Sequence, residues 1–279
     1  MRSNYKISCV MTTYRRFTCV ERSISMFLNQ DYQGQTELIV FNTDDEYPFV
    51  LGESLSKHGN IRVINNNIDY VTGQKYDNIG SIRRDGLSHA SGTHYICWDD
   101  DDIFLPWNIR QCVDGLIKYP ELWAWKPEYS TFWRSDGKLE IAGNAMEASI
   151  ISSIEKIKEI GFIPHKGGGE HLSWLGEFQK NNKILFDRNS IPGYCFNWSD
   201  QGLIRGHKQS GTIGHPDNFN IHKEGTRDWA TRPLEIYDSK ILSEIYEKFK
   251  NLLKDNIDKP INGYKITQEN YNKYVLGTS

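Results

Sequence analysis

The stretch HYICWDDDDIFLPW, residues 94–107, sets four consecutive carboxylates directly after an apolar, β-prone run. Neighbouring like charges repel, and a buried carboxylate is costly unless a positive group lies beside it. Asp99, Asp100, Asp101 and Asp102 therefore form either a solvated turn or half of a cation site. The surroundings decide between the two. THYICW reads as a strand, and NIGSIRRDGLSHASG before it (78–92) reads as a helix ending near Gly92. Further upstream, KISCVM (6–11), TELIVFN (36–42) and NIRVINN (60–66) read as strands, and ERSISMFLNQ (21–30) has helical apolar spacing. Strands alternating with helices predict an α/β fold with a largely parallel sheet. In such sheets ligands bind beyond the carboxyl ends of strands. TTYRR (12–16), NTDDEYP (42–48) and DDDD all sit at such ends, so three polar clusters are expected along one edge.

The remainder is ordinary globular sequence. At 279 residues, 38% hydrophobic and 25% charged, the chain can bury a substantial core and is not disordered. A net charge of -3 argues against a generally basic nucleic-acid binder. The five Cys are odd in number and include no CxxC, which predicts reduced thiols and a cytoplasmic protein. Neither a signal-like apolar region nor a membrane-span length is expected. PELWAWKPEYSTFW (120–133) reads as strands and loops. In SSIEKIKEIGF (152–162), Ser152 and Glu155 form a capping-box pattern, and Gly161 suits the helix stop. HKGGGEHLSWLGEFQKN (165–181) reads as a glycine loop opening a helix. In the tail, Ile241, Leu242, Ile245, Phe249, Leu252 and Leu253 share one helical face.

In this order and at these separations, ISCVMTTYRR, ELIVFNTDD, the segment from Asn78 to Asp102, and SSIEKIKEIGF with GGGEHLSW resemble a glycosyltransferase of the family-2 type with the GT-A fold. The resemblance runs from about Lys6 to Trp174. It implies a GT-A domain over 1–233, with a nucleotide-sugar-binding half (1–106) and an acceptor half with a closing loop (107–233). Residues 234–279 would form a C-terminal helical extension packing on it. Two departures stand out. Asn42-Thr43 takes the place of a family aspartate that reads uracil, and Glu170-His171 takes the place of Glu-Asp, whose Asp is the usual base.

The implied activity moves a sugar from a nucleotide diphosphate, expected to be a UDP-sugar, onto an acceptor hydroxyl with inversion. Departing diphosphate needs its charge neutralised, and hard Mn²⁺ or Mg²⁺ bound by carboxylates does this. By resemblance Asp101 is the direct ligand, Asp99 a second, and His207 in NWSDQGLIRGHKQSG (197–211) a further one. Arg205 and Lys208 of that loop can meet phosphates, and His215 and His222 are later alternatives as ligand. Asp102 would orient the acceptor or the loop, and Asp100 reads as a turn residue facing water, although it lies among the donor-binding positions. Thr12, Thr13, Tyr14, Arg15, Asn42, Thr43 and Asp44 would line the donor pocket. Arg83 would meet the diphosphate or hold the Asp loop. Glu170 and His171 would deprotonate the acceptor; on a regular helix they diverge by about a quarter turn, so one of them is expected to face the reaction. The family implies a glycan or glycolipid-precursor acceptor. A hydroxymethylated nucleic-acid base is the alternative, since arginine pairs at 15–16 and 83–84 could flank a backbone. A catalytically silent nucleotide-sugar or glycan binding module is the alternative of another class.

Overall fold

The computed structural model describes residues 5–134, 136–143, 146–164, 169–197, 230–261 and 264–278. The elements in chain order are β1 (Lys6–Thr13), α1 (Phe17–Leu28), β2 (Gln35–Asn42), α2 (Glu53–Ser56), β3 (Ile61–Asn65), α3 (Ile79–Ser88), β4 (His94–Cys97), β5 (Ile103–Phe104) and α4 (Asn108–Lys118). They continue as β6 (Ala124–Pro127), β7 (Tyr129–Trp133), β8 (Leu139–Gly143), β9 (Ile151–Ser153), α5 (Ile154–Ile160), α6 (Leu172–Lys180), β10 (Ile184–Asp187), β11 (Tyr194–Asn197) and α7 (Ser239–Asp255).

The main sheet has seven strands in the order β3-β2-β1-β4-β9-β6-β10. All run parallel except β9, which is antiparallel to both β4 and β6. A parallel central strand is covered on both faces, so it reads as a near-continuous apolar run. Accordingly Ile7, Cys9, Val10 and Met11 of β1 are all buried. From β1 the chain builds outward to β2 and β3, then crosses to place β4 on the other side. This strand-order reversal opens the crevice between the carboxyl ends of β1 and β4, where TTYRR and the Asp run emerge. Because β9 is antiparallel, its beginning lies at the same edge: Ile151 pairs with Ile96, near the end of β4. A second sheet, in the order β5-β11-β7-β8, backs the Asp run.

Several local expectations shift. The helix at 79 stops at Ser88 rather than near Gly92, and Gly92 instead lies close against Ser8 and Lys6 of β1. The α5 cap is Ser153, whose hydroxyl accepts from the Lys156 amide, because Ser152 is held inside β9 by pairing to Tyr95 and Ala124. Gly161 does end that helix, at φ 86. On α7 the buried stripe is Leu242, Ile245, Tyr246, Phe249 and Leu253, while Ile241 is 39% exposed. Tyr246 completes the i, i+3, i+4 series that Ile241 misses by a third of a turn. Phe249 meets the Trp133 ring edge-on at 6.0 Å, which seats α7 on the second sheet. Among the described residues no helix is long and apolar enough to cross a membrane.

Candidate active site

Between Cys97 and Ile103 the Asp run bridges the two sheets, and the apolar residues on either side pin it. The Trp98 ring stacks on Phe104 with centroids 3.7 Å apart, and its indole N–H donates to the Ser23 carbonyl at 3.1 Å. Buried Arg22 on α1 donates to the carbonyls of Asp101 (2.8 Å) and Asp100 (3.3 Å), and the Asn197 amide donates to Asp101 O at 3.0 Å. The loop backbone is thus tied to α1 and β11.

The four carboxylates have distinct partners. Asp99 pairs with Arg83 at 3.0 Å, and Arg16 Nη1 bridges Asp100 (2.9 Å) and Asp101 (3.1 Å). Asp102 accepts from the Tyr194 hydroxyl and from the Asn197 amide N–H at 2.9 Å. Asp100 does not face water: it is 1% exposed, because α1 closes over the loop. Burial raises its carboxyl to about 6, with Arg16 opposing and Asp101 adding to the rise. Burial, then Asp101 and Asp99, also hold Asp102 well above the usual range. Asp102 is therefore a fastening for β11. Tyr194→Phe removes one of its two bonds and is expected to lower unfolding free energy by about 1–3 kcal/mol, the cost of an unmet buried polar group. The urea midpoint measures this, and an unchanged midpoint would count against the fastening role.

Beyond β1 and β2 lies a cleft of about 230 Å³ lined by Tyr14, Arg15, Thr43, Asp45, Glu46, Asn67, Lys75 and Tyr76. Arg15 has φ 51, a left-handed conformation uncommon outside glycine, as the chain turns from β1 towards α1. Its guanidinium pairs with Asp44 at 2.7 Å and with Glu46, and lies 5.3 Å from the Tyr14 ring centroid. Tyr14, Arg15 and Thr43 are therefore at the cleft. Thr12 and Thr13 pair with Phe41 and Asn42 in the sheet. Asn42 is fully buried and holds the loop: its amide donates to Tyr47 O and Asn65 Oδ1, and its carbonyl accepts from Asp44 N–H. Asp44 is likewise committed to Arg15 behind the cleft. Asn67, Lys75 and Tyr76 were not anticipated. They follow β3, a third strand whose carboxyl end meets the same edge, and that placement was the available signal.

The other group centres on Arg83 of α3, whose guanidinium reaches Asp99 (3.0 Å), Glu170 (2.5 Å) and Glu147 (3.5 Å), and also touches Cys97 Sγ. Glu147, just before β9, accepts from the Tyr95 hydroxyl at 3.0 Å, and its Oε2 lies 3.7 Å from His171 Nδ1. One atom from each of Glu147, Glu170 and His171 lies within 4.8 Å of the others; among the described residues, this is the one trio of side chains placed to share a metal ion. Glu170 and His171 do not stand as successive positions of the helix. Glu170 precedes the helix and His171 is its N-cap, so helical divergence does not apply and both approach Glu147. Burial pushes Glu147 up to about 8, with Glu170 and Asp99 adding to it. Burial opposes ionisation of Glu170 too, but Arg83 and His171 hold that carboxyl below its ordinary value. Burial lowers His171. His207, Arg205, Lys208, His215 and His222 lie outside the described residues.

Residues 8–168 match the glycosyl transferase family 2 model, more than half of the chain. The chain belongs to glycosyl transferase family 2. Solved chains with a similar fold include S. aureus TarS 1-349 in complex with UDP, with TM-score 0.51 and 14% identity. A second crystal structure of S. aureus TarS 1-349 gives 0.50, also at 14% identity. Each alignment covers 69% of this chain and 60% of the TarS chain, so this chain spans well under two thirds of their length. At that identity the likeness is one of fold, and the fold is GT-A. No curated protein matches the chain. Within this family-2 chain, the Asp run, Arg83 and Glu147 fall inside the matched region, and Glu170 and His171 lie just beyond it.

Proposed function

We propose that the protein transfers a sugar from a nucleotide-diphosphate donor to an acceptor hydroxyl, by single displacement with inversion and with a divalent metal. One observation carries the reading. The three-residue segment Tyr14–Arg16 joins the cleft to the Asp run: Tyr14 and Arg15 line the cleft, while Arg16 holds Asp100 and Asp101. A nucleoside in the cleft would therefore place its diphosphate beside the carboxylates. UDP, which S. aureus TarS binds in a chain of the same fold, suits a cleft walled by Tyr14 and Tyr76.

The donor set fits a hard cation. Asp100, Asp101 and Asp102 are all at most 2% exposed, and Asp100 Oδ2 has no hydrogen-bond partner among the described residues. So many buried carboxylates are costly without more positive charge than Arg16 supplies. Asp101 and Asp99 would hold Mn²⁺ or Mg²⁺, which neutralises charge on the departing diphosphate. Arg83 fixes Asp99. The acceptor proton passes to the Glu170–His171 pair, and the acceptor is a glycan or glycolipid precursor.

The test is release of nucleoside diphosphate from a panel of UDP- and GDP-sugars, with Mn²⁺ and with EDTA, in the presence of oligosaccharide or of hydroxymethylated DNA. Metal-dependent release from one donor is expected. Donor binding without turnover under every condition would instead favour a silent binding module.

A further inference from the structure

Resting on that reading, we infer that His171 alone is the proton acceptor, through Nε2, and that Glu147 is a positioning residue seated behind its Nδ1. Three observations separate the roles of the adjacent pair. Glu170 is 2% exposed and its Oε1 lies 2.5 Å from Arg83 Nε, so its charge is spent on a buried guanidinium. The His171 side chain keeps 15% exposure, so part of it is open to solvent, whereas Glu170 is almost fully enclosed. The atom facing Glu147 Oε2 is Nδ1, at 3.7 Å, which leaves Nε2 for an incoming hydroxyl. A carboxylate behind one ring nitrogen fixes the tautomer and stabilises the imidazolium that forms at the other. Such contacts are commonly long before substrate binds.

The groups facing this pair can be named element by element. Tyr95 comes from β4 and Arg83 from α3; Asp99 comes from the Asp run and Glu170 from the turn before α6. Lys126 of β6 also acts on His171, lowering it. Tyr95 and Arg83 hold Glu147 in place; Glu170 and Asp99 resist its ionisation. The step balances simply. The acceptor oxygen forms the new bond to the anomeric carbon as its proton passes to His171 Nε2. The bond from that carbon to the diphosphate oxygen breaks, and its electron pair leaves with the nucleoside diphosphate.

Ionised Glu147 would draw the Nδ1 proton towards it and leave Nε2 as a base, whereas neutral Glu147 is hydrogen-bonded to Glu170 and leaves the imidazole in its ordinary Nε2–H form. Histidine nitrogen NMR on the substrate-free protein reads this directly, with His171→Gln identifying the resonance. The expected result is a switch from the Nε2–H to the Nδ1–H tautomer as pH rises through about 8, absent in Glu147→Gln. With the most active donor of the panel, Glu147→Gln is expected to lower kcat by about 10²–10⁴-fold at little cost in KM, as when the carboxylate of such a pair is neutralised. An Nε2–H tautomer at every pH overturns the assignment, and this wild-type result decides even if the variant fails to fold. A silent donor panel with the switch intact instead sinks the transferase reading, and the proposal with it.

Discussion

Asp101→Ala is expected to reduce donor turnover by at least about 10²–10³-fold, the range seen when one group stabilising developing charge is removed. The expectation follows from position. Asp101 is in the crevice at the β1/β4 reversal, 2% exposed, and shares Arg16 with Asp100. Alanine would take a ligand from the cation and leave Arg16 paired with Asp100 alone. Misfolding is not the expected cause of the loss. Asp101 is a source of the elevated values of Asp100 and Asp102, so deleting it relieves repulsion within the loop. The loop backbone stays tied through main-chain carbonyls to Arg22 and Asn197. The variant should therefore melt near the wild type while losing the stabilisation that Mn²⁺ adds to UDP binding. In the wild type, UDP with Mn²⁺ at a hundredfold excess over its Kd would add about 2.7 kcal/mol to the folding free energy. Full turnover in Asp101→Ala would remove the metal assignment.

Much of this arrangement was legible in the sequence because parallel-sheet physics leaves a plain record. Buried strands read as apolar runs, and the polar segments after them had to meet at one edge. The Asp run, Tyr14 and Arg15 were placed at that edge in this way, and Arg83 came from the family resemblance. Glu147 was not. It follows an aperiodic stretch, and nothing local marks it. It reaches Arg83 only because β9 inserts antiparallel between β4 and β6, bringing the residues before Ile151 back to the active edge. That is a long-range pairing with no short-range signature. Burial of Asp100 was hidden for a similar reason. Four adjacent carboxylates look solvated until Arg16, just before α1, and Arg22, within it, are known to lie against them. The capping Ser was misplaced by one residue because tertiary strand pairing outweighed a local capping preference.

His171→Ala and Glu170→Gln should both lower turnover, and their stability changes should tell them apart. Loss of a general base removes about 10²–10⁴-fold in rate, so His171→Ala is expected to fall by that much with donor Kd nearly intact, since the imidazole lies against Glu147 and Trp174, neither of which lines the cleft. Its effect on folding should be small. Glu170→Gln is different in kind. It deletes the anion 2.5 Å from a buried guanidinium, and breaking such a pair from one side costs about 3–5 kcal/mol. Arg83 retains Asp99 and Glu147, which places the expected loss at the low end of that range. The pH profile carries the same distinction. Nε2 is free to act as a base only once Glu147 is ionised, so turnover should rise with pH along a limb through about 8, and His171, lowered by burial, is already neutral there. That limb should disappear from the residual activity of His171→Ala and persist in Glu170→Gln. The sign for stability runs the other way from the usual histidine. The folded pKa lies below the unfolded one, so the unfolded chain binds the extra proton. Stability is then lost as pH falls through 6.5 and is fully present above it. Normal transfer by both variants would place the base elsewhere in the fold. A normal pH profile in His171→Ala, beside a collapsed one in Glu170→Gln, would hand the role to the carboxylate.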